Sequence, residues 1–123
     1  MKTDKTYKIE YDIFMKSYKR GTTDGEEVGR MVARMAQFFA EKNTQLADAI
    51  NAYAIKAAEI SNSTDESGKG IAVNKANILA DASEEAALKE ELEADLKNIE
   101  QYLNALKSLQ KGIMNEYSHM GNI

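Results

Sequence analysis

Residues 92–117 read LEADLKNIEQYLNALKSLQKGIMNEY. A series of apolar residues stands at Leu92, Leu96, Ile99, Leu103, Leu106, Ile113 and Tyr117, with Gln110 holding the remaining place in it. The steps alternate four, three, four, three, and Met120 continues them. Steps of four and three put every one of these side chains on a single helix face, the pattern of a coiled-coil seam. The spacing therefore predicts a long helix over 84–120. Ser83 stands at its N-cap, with Glu84 and Glu85 at the positive end of the helix dipole. Buried polar residues at such seams set register in coiled coils, and Gln110 is a candidate for that role.

A second long helix is predicted over 24–60. Thr23-Asp24-Gly25-Glu26 fits a capping box, with Thr23 as cap and Glu26 reaching back. Val28, Val32, Met35, Phe39, Leu46, Ala49, Tyr53 and Ile60 follow in helical steps, and Lys42 and Lys56 occupy two seam positions. Met31, Phe38, Ile50 and Ala57 widen the stripe. The ten polar or glycine residues 61–70 form a loop. A short helix over 71–82 follows, with Ile71, Lys75, Ile78, Leu79 and Ala82 as its expected facing set. Residues 1–20 are ambiguous. Tyr7, Ile9, Tyr11 and Ile13 alternate as in a strand, whereas Tyr7, Tyr11, Phe14 and Tyr18 have helical spacing. No second strand candidate exists to pair with, so a helix ending at Arg20-Gly21 is the preferred reading and an extended arm the alternative. The expectation is one all-α domain: an antiparallel bundle, or coiled-coil hairpin of two long helices, plus a shorter helix and an N-terminal helix or arm.

Composition narrows the function. The 123 residues contain no cysteine and no proline, and a single histidine. Disulfide scaffolds, thiol nucleophiles and cysteine-ligated zinc are excluded. No apolar run approaches the ~20 residues of a membrane helix, and the N-terminus lacks the apolar core of a signal peptide. The expected location is the cytoplasm, without membrane attachment. Glu116 and His119 have the Glu-x-x-His spacing of di-iron bundles, but such a site needs two pairs and further glutamates. Gly68-Lys69-Gly70 lacks the length and following Ser or Thr of a phosphate loop. No catalytic constellation emerges, and no metal or cofactor is expected; the chain reads as a non-enzyme.

Net charge is −4 but unevenly distributed. Met1 to Arg20 carries six Lys or Arg against three acids, and Asp81 to Glu100 carries eight acids against Lys89 and Lys97. Opposite-charge contact between these segments, within or between chains, is one use of that asymmetry. The acids of the second segment mostly lie opposite the leucine seam, as a solvated face does. Tyr7, Tyr11 and Tyr18 interleave with Lys8, Lys16, Lys19 and Arg20, a mixture that single-stranded nucleic-acid platforms use to stack bases and neutralise phosphate. Packing of the tyrosines against the bundle, with the lysines in solvent, is the competing structural reading. Helices of this length also leave apolar flank that a second chain would cover, and symmetric self-association is the commonest solution. The seam from Leu92 to Tyr117 is accordingly the expected oligomer or partner surface.

Three stretches, Gly21-Thr22-Thr23-Asp24-Gly25-Glu26-Glu27-Val28-Gly29, Ser67-Gly68-Lys69 and Asn98 to Gly112, carry a resemblance. They resemble small uncharacterised helical proteins encoded among the early genes of bacteriophages and prophages. The resemblance implies a protein that works in the host cytoplasm during infection, assisting replication and recombination or blocking a host defence. It carries over no functional residue. Three expectations follow: an oligomerising helical protein that binds a protein partner; an accessory protein for single-stranded nucleic acid, using the N-terminal arm; and an anti-defence protein that sequesters a nucleotide signal or occludes a host effector, using the loop 61–70 and the grooves of the oligomer.

Overall fold

The computed structural model describes the backbone of residues 2–121 and the side chains of residues 2–116. It contains four helices: α1 (Thr6–Lys19), α2 (Gly25–Ser61), α3 (Val73–Asp81) and α4 (Glu84–Gly121). Among the described residues there is no strand, only an isolated bridge between Thr64 and Gly70. The long helices α2 and α4 pack against each other, so the fold is the all-α helical hairpin bundle that the two seams predict.

The helix ends explain themselves locally. Residues 6–19 are helical, and the arm alternative for this segment falls. The Gly21 N–H donates to the Tyr18 carbonyl, and the Thr22 N–H to the Ser17 carbonyl. With Gly21 at φ +75°, this is a Schellman stop, and glycine meets its left-handed requirement without strain. At α2 the cap differs from expectation by one residue. Asp24 Oδ1 accepts the Glu27 N–H at 2.8 Å, while the Thr23 hydroxyl is buried without a partner. Thr23/Glu26 and Asp24/Glu27 both satisfy the capping spacing; the carboxylate takes the role and fixes the start at Gly25. Ser83 caps α4 as expected, its Oγ accepting the Ala86 N–H.

The chain forms two compact units. One comprises residues 4–41 and 95–121, bringing together α1, the first part of α2 and the second part of α4. Its core is Tyr7, Phe14, Val28, Met35, Phe38, Ile99 and Leu106. Gly25 and Gly29 let α2 approach α4 closely: a Cβ on Gly25 would lie 3.3 Å from Ile113 Cγ2, and one on Gly29 would lie 3.6 Å from Gln110 Nε2.

The other unit comprises residues 42–94 with residues 2 and 3. Its buried side chains are small: Ala49, Ala76, Ala80 and Ala86, with Leu92 and the buried Lys42. Here the expected facing set of the short helix is corrected. Ala76 and Ala80 turn inward, whereas Ile78 is 67% exposed, Leu79 is 43% exposed, and Lys75 and Ala82 face solvent. Alanines one turn apart allow a short helix close approach, and the larger side chains are left outside. Tyr53 ties the unit together, donating to Asp81 at 2.7 Å, with the Lys89 ammonium 5.1 Å from its ring.

Candidate functional site

The most elaborate polar arrangement joins α1 to α4. Lys5 and Tyr7 stand at the start of α1, and Asp95 and Asn98 lie one turn apart on α4. Asp95 is fully buried. Its Oδ1 accepts the Tyr7 hydroxyl at 2.7 Å and the Lys5 ammonium at 2.5 Å, and the Asn98 amide donates to the Tyr7 oxygen at 3.3 Å. Burial pushes the Tyr7 phenol up to about 12; the Asn98 amide opposes that shift and Asp95 adds to it. A carboxylate in this position must be hydrogen-bonded and paired, because an isolated buried charge is prohibitively costly. The cluster therefore locks α1 in register on α4. Its carboxylate is held by the chain's own donors.

Further along α1 the same helix is held by aromatic and ionic contacts. Tyr11 stacks on Tyr102 with ring centroids 3.9 Å apart and 9° between planes. Burial raises the phenol pKa of both rings. Arg34 of α2 grips Glu10 with two hydrogen bonds of 2.9 Å, and its guanidinium lies 4.1 Å from the Phe38 ring centroid.

These contacts determine where the expected site residues lie. Of the nucleic-acid arm, Tyr7 is buried, and Tyr11 and Tyr18 pack against the core. Lys8, Lys16, Lys19 and Arg20 are exposed. The cations are thus presented to solvent while the three rings that would stack bases are engaged internally. Of the partner seam, Leu92, Ile99 and Leu106 are buried, and Leu96, Leu103, Gln110 and Ile113 are half-buried. The seam is occupied by this chain's own helices, with Leu103 and Ile113 packed on the same core as Tyr7 and Phe14. The side chains of Tyr117, His119 and Met120, and with them the last seam positions and the Glu116-x-x-His119 pair, lie outside the described residues.

The loop 61–70 is ordered by its own bonds. Asp65 Oδ1 accepts from the Ser67 N–H, the Ser67 hydroxyl and the Lys69 N–H. The Ser67 hydrogen bond, helped by Lys69, holds this carboxyl below its usual range. Gly68, at φ +83°, closes the turn. Among the described residues, no group of three or more His, Cys, Asp or Glu side chains is placed to hold a metal ion. No described helix is long and apolar enough to cross a membrane.

Two signals were missed in the sequence. Asp95 lies three residues after Leu92 and four before Ile99, on the apolar face rather than the solvated one assigned to its neighbours. Tyr102 has the same relation to Ile99 and Leu106. The remaining distinctive feature is what faces outward. Ile9 and Ile13 on α1 are 60% and 61% exposed, and Val73 and Ile78 on α3 are 75% and 67% exposed. Ile13 also borders a shallow cleft of about 240 Å³ with Glu10, Phe14, Ser17, Glu27 and Met31. In the other unit, Ala49, Ala52, Leu88 and Leu92 floor a groove of about 330 Å³, edged by Gln45 and Asp48. The described surface thus offers exposed aliphatic side chains beside two shallow clefts. No family model matches the chain, and neither a curated protein nor a solved structure matches it.

Proposed function

We propose that this chain is a non-enzymatic helical binding protein, homo-oligomeric and engaging a protein partner through outward aliphatic side chains. The supporting observation is that large apolar residues stay in solvent on α1 and α3, Ile9, Ile13, Val73 and Ile78, although the leucine seam is already filled from within. Ile9 and Ile13 lie one turn apart on α1 and share a face, as the anchors of helix-mediated recognition do. Taken with the resemblance to early phage proteins, the setting is the host cytoplasm during infection.

The test is affinity capture from host cells with the wild-type chain and with the variants Ile9→Ser/Ile13→Ser and Val73→Ser/Ile78→Ser. Each variant should keep its helical circular dichroism, and at least one should lose a protein captured by the wild type. Retention of every captured protein by both folded variants would refute the reading. The nucleic-acid alternative has less support, since Tyr7, Tyr11 and Tyr18 serve the core. The nucleotide-sequestering alternative has less too, since the donors around Asp65 are satisfied within the loop.

A further inference from the structure

The turn between α1 and α2 is the least satisfied corner of the described chain. Residues 20–24 read Arg-Gly-Thr-Thr-Asp and fold α1 back on α2, so that Glu10 meets Arg34. Gly21 holds a left-handed conformation there, at φ +75°. The Thr23 hydroxyl is buried without a hydrogen-bond partner, and among the described side chains it is the only buried polar atom left so. Such a group costs the folded turn the hydration it had in the open chain. What holds α1 in place lies elsewhere. Lys5 and Tyr7 bond to Asp95, Glu10 to Arg34, Tyr11 stacks on Tyr102, and Phe14 enters the core with Val28 and Leu106. None of these contacts involves residues 20–24. The docking surface therefore specifies α1 itself and not the path by which α1 reaches it.

We propose that α1 is an exchangeable element: in a dimer, the α1 of each copy docks on α2 and α4 of the other, and the turn 20–24 opens to connect them. The occupant of each docking surface is named by the contacts above. A second copy carries the same ammonium, phenol, carboxylate and rings at Lys5, Tyr7, Glu10, Tyr11 and Phe14, at the same spacing. Exchange keeps all of these contacts and is symmetric, so it closes as a dimer. Opening the turn gives up the bonds from the Gly21 N–H to Tyr18 and from the Thr22 N–H and hydroxyl to Ser17. Gly21 and Thr22 are exposed, so water replaces those bonds. In return Gly21 leaves its left-handed conformation and the Thr23 hydroxyl regains a partner, the kind of short-hinge imbalance that invites exchange. The tether favours the closed chain in dilute solution, and exchange gains with concentration. This rests on the homo-oligomeric part of the reading above and gives it a geometry.

The experiment pairs two charge reversals. In a closed chain, Glu10→Arg sets two guanidinium groups against each other, and Arg34→Glu sets two carboxylates against each other. In an exchanged heterodimer of the two variants, each α1 meets a residue of opposite sign at position 34, and both clashes disappear together. Native mass spectrometry of the mass-labelled full chains, mixed at equal concentration, should show the heterodimer exceeding either homodimer by at least about tenfold. A second variant, Gly21→Ala/Thr22→Ala/Thr23→Ala, draws α1 and α2 toward one continuous helix that cannot fold back. In sedimentation velocity it should associate at least about tenfold more tightly than wild type, because alanine is strained at a left-handed position. It leaves the docking surface untouched, so it decides the matter if both charge-reversed chains fail to fold. A mixture in which the heterodimer does not exceed the homodimers would overturn the proposal. So would an alanine variant that stays monomeric while keeping its helical dichroism. Capture of a protein that depends on Ile9 and Ile13, by chains that show neither effect, would leave the binding-protein reading standing and remove this one.

Discussion

The Tyr7 hydroxyl donates a 2.7 Å hydrogen bond to Oδ1 of Asp95, a fully buried carboxylate 88 positions away in the chain. The pair bridges the start of α1 and the middle of α4 at a point where neither group reaches water. Removing one partner strands the other. Tyr7→Phe keeps the ring's packing against Phe38 and Tyr102 and deletes only the donor. The expected loss is about 1–3 kcal/mol in urea unfolding, with little change in slope. A loss below about 0.5 kcal/mol would mean that the bond contributes nothing beyond what water supplies to the unfolded chain.

The same pair sets an alkaline limit. The Tyr7 phenol titrates near 12 in the folded chain against an ordinary value of 10.0. The folded state therefore holds its proton more tightly than the unfolded state. The associated stability is fully present below pH 10 and is lost as pH rises through about 12. Tyr11, Tyr53 and Tyr102 are shifted in the same direction, Tyr53 chiefly by its hydrogen bond to Asp81. Urea midpoints measured from pH 9 to 12 should fall across that window. Tyrosinate absorbance should appear later in the folded chain than in the urea-unfolded one. Tyr7→Phe should flatten the dependence.

Core and surface should respond oppositely to truncation. Leu106 is fully buried in the core with Val28 and Ile99, and Leu106→Ala should cost about 2–5 kcal/mol. Ile78, of the same aliphatic type, is 67% exposed, and Ile78→Ala should stay within about 0.5 kcal/mol of wild type. Equal losses in thermal or urea unfolding would contradict the placement of α3.

Alanines Ala76 and Ala80 are 4% and 3% exposed and set the close approach of α3. Ala80→Leu should destabilise by about 1–3 kcal/mol through overpacking, and Ala82→Leu, at an exposed position, should not. Hydrogen exchange of α3 amides reads this locally even if global unfolding changes little.

Gly29 and Gly25 separate two costs. A Cβ at Gly29 meets Gln110 at ordinary contact distance, so Gly29→Ala should gain about 0.5–1 kcal/mol from helix propensity. At Gly25 the added carbon meets Ile113 at 3.3 Å, and Ile113 must yield. The gain there should be smaller or reversed, as compared by thermal unfolding of the two alanine variants.

The sequence by itself determined the two long helices, because each is written in local chemistry, while residues 1–20 stayed open between a helix and an arm. The four-and-three spacing from Leu92 to Ile113 marks α4, and the run from Val28 to Ile60 marks α2. Ser83 and Gly21 carry start and stop signals that need no distant partner. Tertiary structure decided what each helix face is for. Whether the leucine seam would meet another chain or α1 and α2 was undetermined, since the same periodicity serves both; in the structure Ile99 and Leu106 share a core with Tyr7 and Met35. The tyrosines of α1 looked the same as base-stacking platforms and as packing residues until Asp95 and Tyr102 were seen to receive them. The inner face of α3 belonged to its alanines because small side chains permit approach, a choice that depends on the opposing surface and not on hydrophobicity along the chain. Periodicity fixes which residues share a face. Only packing fixes what that face meets.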